Sequence, residues 1–346
     1  MTNEKMTSMQ RVLTTLGHKE PDRVPLFFLF TMHGAMELGL SIKDYFSSAA
    51  SVAEGQLRLL EKYQHDNLYS FFYAPVEIEA WGGEVIYSAD GPPNSGEPFI
   101  QNHGQILNLA VPPVEETPCL ARVIEATRLM KDKVKDEVPI IGVVMSPFSL
   151  PVMQLGFEAY LEIIYREPKL FNRLMDVNKL FCANWANAQL KAGATAICYF
   201  DPVSSPTIIP RDIYLKTGHP VALETLKMIE GPTATHMASG RILPIIDDLA
   251  ETGTAVVGVS SYEDLAEIKD SCRGRLTVLG NLNGIEMSRW NEEDAAKAVR
   301  EAIGKAGSGG GFILSDNHGE IPYQVSEKVL FAVSKAIREF GRYPIG

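Results

Sequence analysis

The side chains that could do chemistry in this sequence recur at one kind of position, directly after a short apolar run that predicts a β-strand. Imidazole, phenol and carboxylate groups can donate or accept protons, and imidazole and carboxylate groups can also bind divalent metals. In a barrel of parallel strands the carboxyl ends of all strands meet at one face, so groups placed there converge on one site. The residues at such positions are His33, Tyr73, Ser146, Asp201, His236, Asn281 and His318.

The segments that must position these residues alternate between apolar runs and helical patterns. Strands are predicted over residues 24–30, 67–72, 139–145, 195–200, 233–236, 255–259, 276–279 and 311–314. Helices are predicted over residues 6–16, 42–63, 157–166, 168–191, 213–230, 242–251, 262–272, 292–304 and 326–340. About eight strands, each followed by a helix or turn, predict a (β/α)₈ TIM-type barrel rather than an open doubly wound sheet. We interpret residues 1–346 as a single barrel domain with an N-terminal helical extension and a small hairpin excursion near residues 82–110.

Composition narrows the class of protein. The 346 residues are 45% hydrophobic and 22% charged, which suits a large buried core, and the net charge of −11 argues against binding to nucleic acid or anionic membranes. The longest clear apolar run, residues 24–30, is too short to span a bilayer, and the polar start has no signal-peptide pattern. The four cysteines are scattered without a CxxC pair, which indicates neither a disulfide framework nor a cysteine zinc module. We therefore expect a cytoplasmic enzyme.

Several motifs resemble those of one known superfamily and occur in its order. They are Glu-Pro-Asp-Arg-Val-Pro at 20–25, Ile-Gly-Val-Val-Met-Ser-Pro-Phe at 141–148, Val-Leu-Gly-Asn-Leu at 278–282 and Gly-Phe-Ile-Leu-Ser-Asp-Asn-His-Gly-Glu-Ile-Pro at 311–322. They resemble the uroporphyrinogen decarboxylase superfamily, which implies a (β/α)₈ barrel. One branch decarboxylates the acetate side chains of uroporphyrinogen, and the other transfers methyl groups to or from a corrinoid protein.

The residues that distinguish the branches disfavour the decarboxylase. Its motif at the first strand end supplies two arginines for substrate carboxylates, but the equivalent residues 30–36 contain none, and no arginine lies between Arg23 and Arg58. By the same resemblance, Tyr73 replaces an essential aspartate and Met153 replaces a tyrosine. An octa-anionic substrate would lack counter-charges at these positions.

The methyltransferase branch is the better resemblance. Residues 199–206 resemble its Asp-Pro loop, residues 235–240 its His-x-Cys-Gly turn and residues 245–253 the following helix. Of the three zinc-ligand positions in that branch, this chain has His236, Ala238 in place of a cysteine, and His318 in place of a second cysteine.

The resemblance therefore leaves a depleted set of metal ligands. His236 and His318 need a third ligand, because zinc takes at least three from the protein. We expect Glu79, or less favourably Glu77, on the loop after the second strand, and Asp316 also lies near His318. A His/His/carboxylate set suits Zn²⁺ or another divalent ion, and the alternative is that the histidines act as proton donors.

These replacements favour removal of a methyl group from a substrate over methylation of a thiol. Losing two thiolates leaves a site that suits polarisation of a methyl-bearing oxygen while reduced corrinoid, Co(I), attacks the methyl carbon. We expect His236, His318, Tyr73 and Asp201 to be catalytic. We expect the substrate to be bound by His33, Phe30, Tyr73, Phe148, Tyr199 and Asn281, whose aromatic members would accept a flat methoxylated ring.

The corrinoid must come from a partner protein, since the chain lacks an Asp-x-His-x-x-Gly signature. Methanol-like alcohols and methylamines remain open as methyl donors, and a homodimer is compatible with the resemblance. The alternatives are a corrinoid-to-thiol methyltransferase, a porphyrinogen decarboxylase and a non-catalytic barrel that binds a small ligand.

Overall fold

The computed structural model describes residues 6–345, which form nine strands and seventeen α-helices. The strands are β1 (Leu68–Tyr69), β2 (Val85–Ile86), β3 (Asn94–Ser95), β4 (Ile140–Met145), β5 (Ala196–Phe200), β6 (Thr233–His236), β7 (Val256–Gly258), β8 (Thr277–Leu282) and β9 (Phe312–Asp316). The helices are α1 (Ser8–Leu16), α2 (His33–Leu38), α3 (Ile42–Phe46), α4 (Ala49–Tyr63), α5 (Val76–Ala80), α6 (His103–Leu107), α7 (Pro118–Val134), α8 (Pro151–Leu155), α9 (Phe157–Arg166), α10 (Pro168–Ala192), α11 (Arg211–Tyr214), α12 (Gly218–Met228), α13 (Ile246–Glu251), α14 (Leu265–Cys272), α15 (Gly284–Met287), α16 (Glu292–Ala306) and α17 (Glu327–Phe340).

Seven strands form a parallel sheet in the order β1-β4-β5-β6-β7-β8-β9, and residues 24–30 close it into a barrel. The Phe27 N–H donates to the Leu314 carbonyl at 2.9 Å on one side, and the Asp66 N–H donates to the Leu26 carbonyl at 2.7 Å on the other. The Asn67 side chain bonds the Phe28 backbone in place of a regular ladder. The predicted first strand is thus extended chain with one parallel bridge, and the fold is the predicted TIM-type barrel.

A buried charge network fastens the N-terminal helix α1 to the chain near the first strand. Arg11 pairs with Asp22 at 2.7 Å and with Asp66 at 2.6 Å, and Arg23 pairs with Asp66 at 2.6 Å. Burial opposes ionisation of Asp66, but the two guanidinium groups outweigh it and hold the pKa of this carboxyl below its usual value.

Local capping changes some of the predicted helices. The predicted helix over residues 42–63 is divided into α3 and α4, because the Ser48 hydroxyl accepts the Ser51 N–H and starts a new helix. Helix α7 has no counterpart in the prediction, although Pro118 at its first turn and buried Leu120, Val123 and Met130 at helical spacing are its sequence signals.

Side chains of the barrel strands alternate between the interior and the helices outside. Leu29, Tyr69, Val143 and Cys198 belong to one interior cluster, whereas the neighbouring strand residues pack outward against helices. This alternation decides which side chains at the strand ends can reach the barrel mouth. No helix within residues 6–345 is long and apolar enough to cross a membrane.

β2 and β3 pair antiparallel as a two-stranded hairpin beside the barrel.

Candidate active site at the barrel mouth

His236 occupies the carboxyl end of β6 and is 1% exposed. Its ring stacks on Phe200 with a centroid distance of 5.4 Å and an interplanar angle of 17°. Gly258 is its partner on β7, and a Cβ there would lie 2.6 Å from the imidazole Cγ and 2.7 Å from Nε2. Only glycine at this position of β7 leaves room for the imidazole, which is therefore fixed between its two neighbours.

One ring nitrogen of His236 is bonded to the backbone and the other faces the site. The Ala238 N–H donates to Nδ1 at 3.0 Å, whereas Nε2 is buried without a hydrogen-bond partner among the described residues. Burial, reinforced by the nearby His318, lowers the pKa of His236 to about 4. The imidazole is neutral at pH 7.

His318 lies in the loop after β9 and approaches the same place. Its Nδ1 is hydrogen-bonded to the Ser239 hydroxyl, and its Nε2 is buried and unpartnered within the described chain. The Asp316 carboxylate shapes this loop by accepting the N–H groups of His318 at 2.8 Å and Gly319 at 2.9 Å. Burial lowers the pKa of His318. Two unpartnered imidazole nitrogens thus belong to neighbouring residues at the barrel mouth.

The expected third metal ligand does not join this pair. Glu79 lies on helix α5, where its carboxylate accepts the Tyr73 hydroxyl at 2.6 Å and pairs with Arg122 at 3.2 Å. No three His, Cys, Asp or Glu side chains of residues 6–345 are arranged to hold a metal ion. With alanine at position 238, the described residues do not fit the three-ligand zinc site that the resemblance implied.

The two acidic candidates, Glu77 and Glu79, lie on helix α5 rather than on a loop. Because they are two residues apart in a helix, their side chains point about 200° apart and have different surroundings. Glu77 is buried and accepts the Met145 N–H at 2.8 Å at the edge of β4. Burial raises the pKa of Glu77 to about 8, so this carboxyl stays protonated at neutral pH.

Asp201 organises loops and is fully enclosed. Its Oδ1 accepts the hydroxyls of Ser146 at 2.5 Å and Ser149 at 2.7 Å, and the Ser149 hydroxyl in turn accepts the Val203 N–H. Burial raises the pKa of Asp201 against these hydrogen bonds. The carboxylate positions the loops after β4 and β5, and the Asp201 backbone N–H donates to the His236 carbonyl at 2.8 Å.

The expected substrate-binding aromatics lie in the layer between the barrel and its helices. Phe30 packs on Tyr63, Phe148 packs on Phe171, and Tyr199 is fully buried in the cluster that faces the helices. Tyr73 packs between Phe46 and Tyr87.

Two further predicted residues are also separate from the histidine pair. His33 is 3% exposed, contacts Phe30 and lines a cavity of about 200 Å³ formed with α4 and α17. The Asn281 side chain donates to the Ser260 carbonyl at 3.0 Å and so ties two loops together.

An open depression is lined by the turn that follows His236, including the two residues that hydrogen-bond to the histidine rings. Its volume is about 740 Å³, within the range of small-molecule sites, and Ala238 and Ser239 form part of its wall. Arg241 is the cation among its lining residues, and Ile208 and Tyr262 supply exposed apolar surface at its rim.

The prediction omitted four positions that shape this site: Phe200 as a stacking partner, Ser239, Gly258 and Gly319. Gly319 has φ +86°, and a Cβ there would lie 2.6 Å from the Phe200 ring. Its place directly after His318 was the available sequence signal, because glycine beside a functional residue often permits a close approach.

The fold and the mouth site define an α/β-barrel enzyme of the type that builds its chemistry on the carboxyl ends of the strands. The sequence profile of the uroporphyrinogen decarboxylase (URO-D) family matches residues 7–340, and the chain belongs to that family.

Similar proteins include both decarboxylases and methyltransferases. The chain is 25% identical over 309 residues to a uroporphyrinogen decarboxylase of Actinobacillus pleuropneumoniae, covering 85% of each chain. It is also 25% identical over 288 residues to a methylcobamide:CoM methyltransferase of Methanosarcina barkeri, covering 81% of this chain and 83% of the relative. The solved structure of a methyltransferase from Methanosarcina mazei has the same fold, with a TM-score of 0.87 at 20% identity over 97% of this chain and 99% of that one.

Proposed function

We propose that this protein is a methyltransferase that moves a methyl group from a small methylated substrate, in the favoured case a methoxylated aromatic, to the Co(I) of a corrinoid on a partner protein. The observation that carries the proposal is the pair of buried, unpartnered Nε2 atoms of His236 and His318, whose hydrogen-bonded neighbours Ala238 and Ser239 line the 740 Å³ depression. Similarity to a methylcobamide:CoM methyltransferase supports the same reaction class.

The charge at the mouth favours methyl transfer over decarboxylation. A substrate with eight carboxylates needs several cations, but Arg23 is committed to Asp66 and Arg58 pairs with Glu54 on an exposed helix face. Arg241 alone lines the depression as a cation. A neutral or singly charged small substrate is the better match.

The histidines would assist the departing group. When the Co(I) acceptor attacks the methyl carbon, the electron pair of the breaking C–O bond stays on oxygen, and negative charge develops there. Hydrogen-bond donors fixed in a buried site stabilise such charge more than water does, because they need no reorganisation. Because the described residues do not fit a zinc site, the histidines themselves are the groups that stabilise this charge.

The test uses the full-length protein with 2-methoxyphenol as methyl donor and free cob(I)alamin as acceptor. Loss of the Co(I) absorbance, appearance of methylcobalamin and release of catechol would support the proposal. The His318→Gln variant should lose on the order of 10²-fold in rate, whereas the matched His103→Gln variant, remote in helix α6, should keep the parental rate.

Two parallel reactions cover the other members of the superfamily. Methylcobalamin with coenzyme M tests transfer to a thiol, and uroporphyrinogen III tests decarboxylation. Decarboxylation, or thiol methylation without any demethylation of methanol, trimethylamine or 2-methoxyphenol, would overturn the proposed direction.

A further inference from the structure

A backbone hydrogen bond determines which nitrogen of His236 carries the proton. A neutral imidazole has one N–H and one nitrogen lone pair. Because the Ala238 N–H donates to Nδ1 at 3.0 Å, Nδ1 must supply the lone pair and Nε2 must carry the hydrogen. A flipped ring would present Cδ2 to Ala238 and leave its N–H without this acceptor, which buried backbone groups rarely tolerate.

This tautomer makes His236 a donor rather than a ligand. A metal needs the lone pair of the nitrogen that faces the site, and in His236 that nitrogen has none. The ring cannot simply turn, because Phe200 stacks on it and Gly258 approaches it closely. Ala238 itself has φ 49°, a left-handed conformation, and the turn directs its N–H toward the His236 ring.

Ser239 places His318 in a matching way. Its hydroxyl contacts Nδ1 of His318, and a hydroxyl that donates there leaves the proton on Nε2. The Ser239 carbonyl accepts the Ser260 hydroxyl at 2.8 Å, and the Ser260 carbonyl accepts the Asn281 amide. Asn281 is thus connected to His318 by hydrogen bonds through Ser260 and Ser239.

We propose that His236 and His318 form a metal-independent pair of N–H donors for the oxygen that loses its methyl group, with Ser239 as a positioning residue. This inference rests on the proposed function and narrows its substrate class to O-methyl compounds. The C–O bond breaks, its electron pair stays on oxygen, and Co(I) supplies both electrons of the new Co–C bond. The resulting alkoxide or phenoxide, or the hydroxide released from methanol, then takes a proton from the solvent.

Quaternary ammonium substrates would gain nothing from this arrangement. A quaternary ammonium leaves as a neutral amine after its C–N bond breaks, so no anion forms for the two N–H groups to stabilise. The donors therefore discriminate between methyl–oxygen compounds and quaternary methylammonium compounds by charge in the transition state.

The tautomer can be measured without any turnover. In ¹⁵N-histidine NMR of the full-length protein at pH 7, His236 should show a pyridine-type shift at Nδ1 and a pyrrole-type shift at Nε2, with both signals lost in His236→Gln. Zinc titration followed by elemental analysis should detect no binding that depends on His236. A pyridine-type Nε2, or one zinc per chain that is lost in His236→Gln, would overturn the inference.

The chemical role is tested by leaving-group dependence. With cob(I)alamin as acceptor, Ser239→Ala should lower kcat on the order of 10²-fold for methanol or anisole but far less for 4-nitroanisole, whose phenoxide needs little stabilisation. Ser239→Thr, which keeps the hydroxyl, should restore kcat, and the exposed Ser288→Ala control should match the parent.

The proposed function and the donor-pair inference would be contradicted by different results. Absence of methyl transfer from every donor would defeat the proposed function even where the NMR result is as expected. Transfer with an equal loss of kcat for all leaving groups in Ser239→Ala, or transfer from tetramethylammonium but not from methyl ethers, would defeat the donor-pair inference alone.

Discussion

Gly258→Ala is the most informative single perturbation of the mouth site. The added Cβ would collide most closely with Cδ2 of His236 and would lie 2.6 Å from its Cγ, whereas ordinary van der Waals contact begins near 3.4 Å, so the ring must retreat by more than about 0.8 Å. Phe200 occupies the opposite face of the ring, which restricts that retreat. The new methyl therefore displaces the imidazole from both its stacking partner and the Ala238 N–H.

Both activity and stability should respond to this displacement. Misplacement of a catalytic group by about 1 Å can cost on the order of 10²-fold in rate. Overpacking of a close-packed interior typically costs about 1–3 kcal/mol. We expect kcat/KM for methyl transfer from 2-methoxyphenol to fall on the order of 10²-fold. The free energy of unfolding should decrease by about 1–3 kcal/mol.

The assay combines cobalt absorbance for rate with urea denaturation for stability. Gly304→Ala is the matched control, because a Cβ at this exposed position of α16 meets nothing within 4 Å. That variant should keep the parental rate and gain up to about 1 kcal/mol from helix propensity. Parental rate and stability in Gly258→Ala would refute the packing that we infer around His236.

Three further predictions concern buried carboxyl groups. Burial raises the pKa of Glu77 from its ordinary value of 4.5 to about 8, so above pH 4.5 the folded state holds a proton that the unfolded chain releases. The contribution of Glu77 to the unfolding free energy should therefore fall by about 1.4 kcal/mol per pH unit between about pH 4.5 and 8. Urea titrations should show that Glu77→Gln removes this decline, whereas the exposed Glu61→Gln does not. Asp66→Asn should lower the free energy of unfolding by about 3–5 kcal/mol, since two buried guanidinium groups lose a shared carboxylate and only Arg11 keeps another, Asp22. An unchanged urea midpoint would contradict this. Asp201→Ala should lower it by about 1–3 kcal/mol as two buried serine hydroxyls lose an acceptor, with retention of the parental melting temperature as the contrary result.

Sequence patterns predicted the barrel because the spacing of apolar residues, and the residues that begin or end helices and strands, are local properties. Helix α9 and strand β6 begin and end at their predicted residues, 157–166 and 233–236. Division of the helix over 42–63 depended on one serine cap, which competes weakly with an otherwise helical pattern. Barrel closure by residues 24–30 combines backbone hydrogen bonds with bonds from the amide side chain of Asn67, a non-local contact with no signal in the strand pattern itself.

The orientation of strand side chains could not be read in the same way. Barrel strands are buried on both faces, so their apolar runs carry no alternation that separates the interior from the helix side. Tyr199 and Phe200 are neighbours at the end of β5, yet only Phe200 reaches His236, while Tyr199 points toward the helices. Choosing between such neighbours requires the register of the whole barrel.

The turn after β6 also shows why a motif comparison alone misjudges this site. By resemblance, Ala238 counts as the loss of a thiolate ligand, which would leave His236 half of a broken metal site. In the structure, the atom of Ala238 that matters is its backbone nitrogen, which bonds Nδ1 of His236 and thereby fixes the proton on Nε2. Loss of the thiolate and retention of a buried neutral imidazole are consistent changes, because a departing oxygen anion is stabilised by N–H donors and repelled by thiolates. The same hydrogen bond that disfavours zinc therefore favours the proposed chemistry.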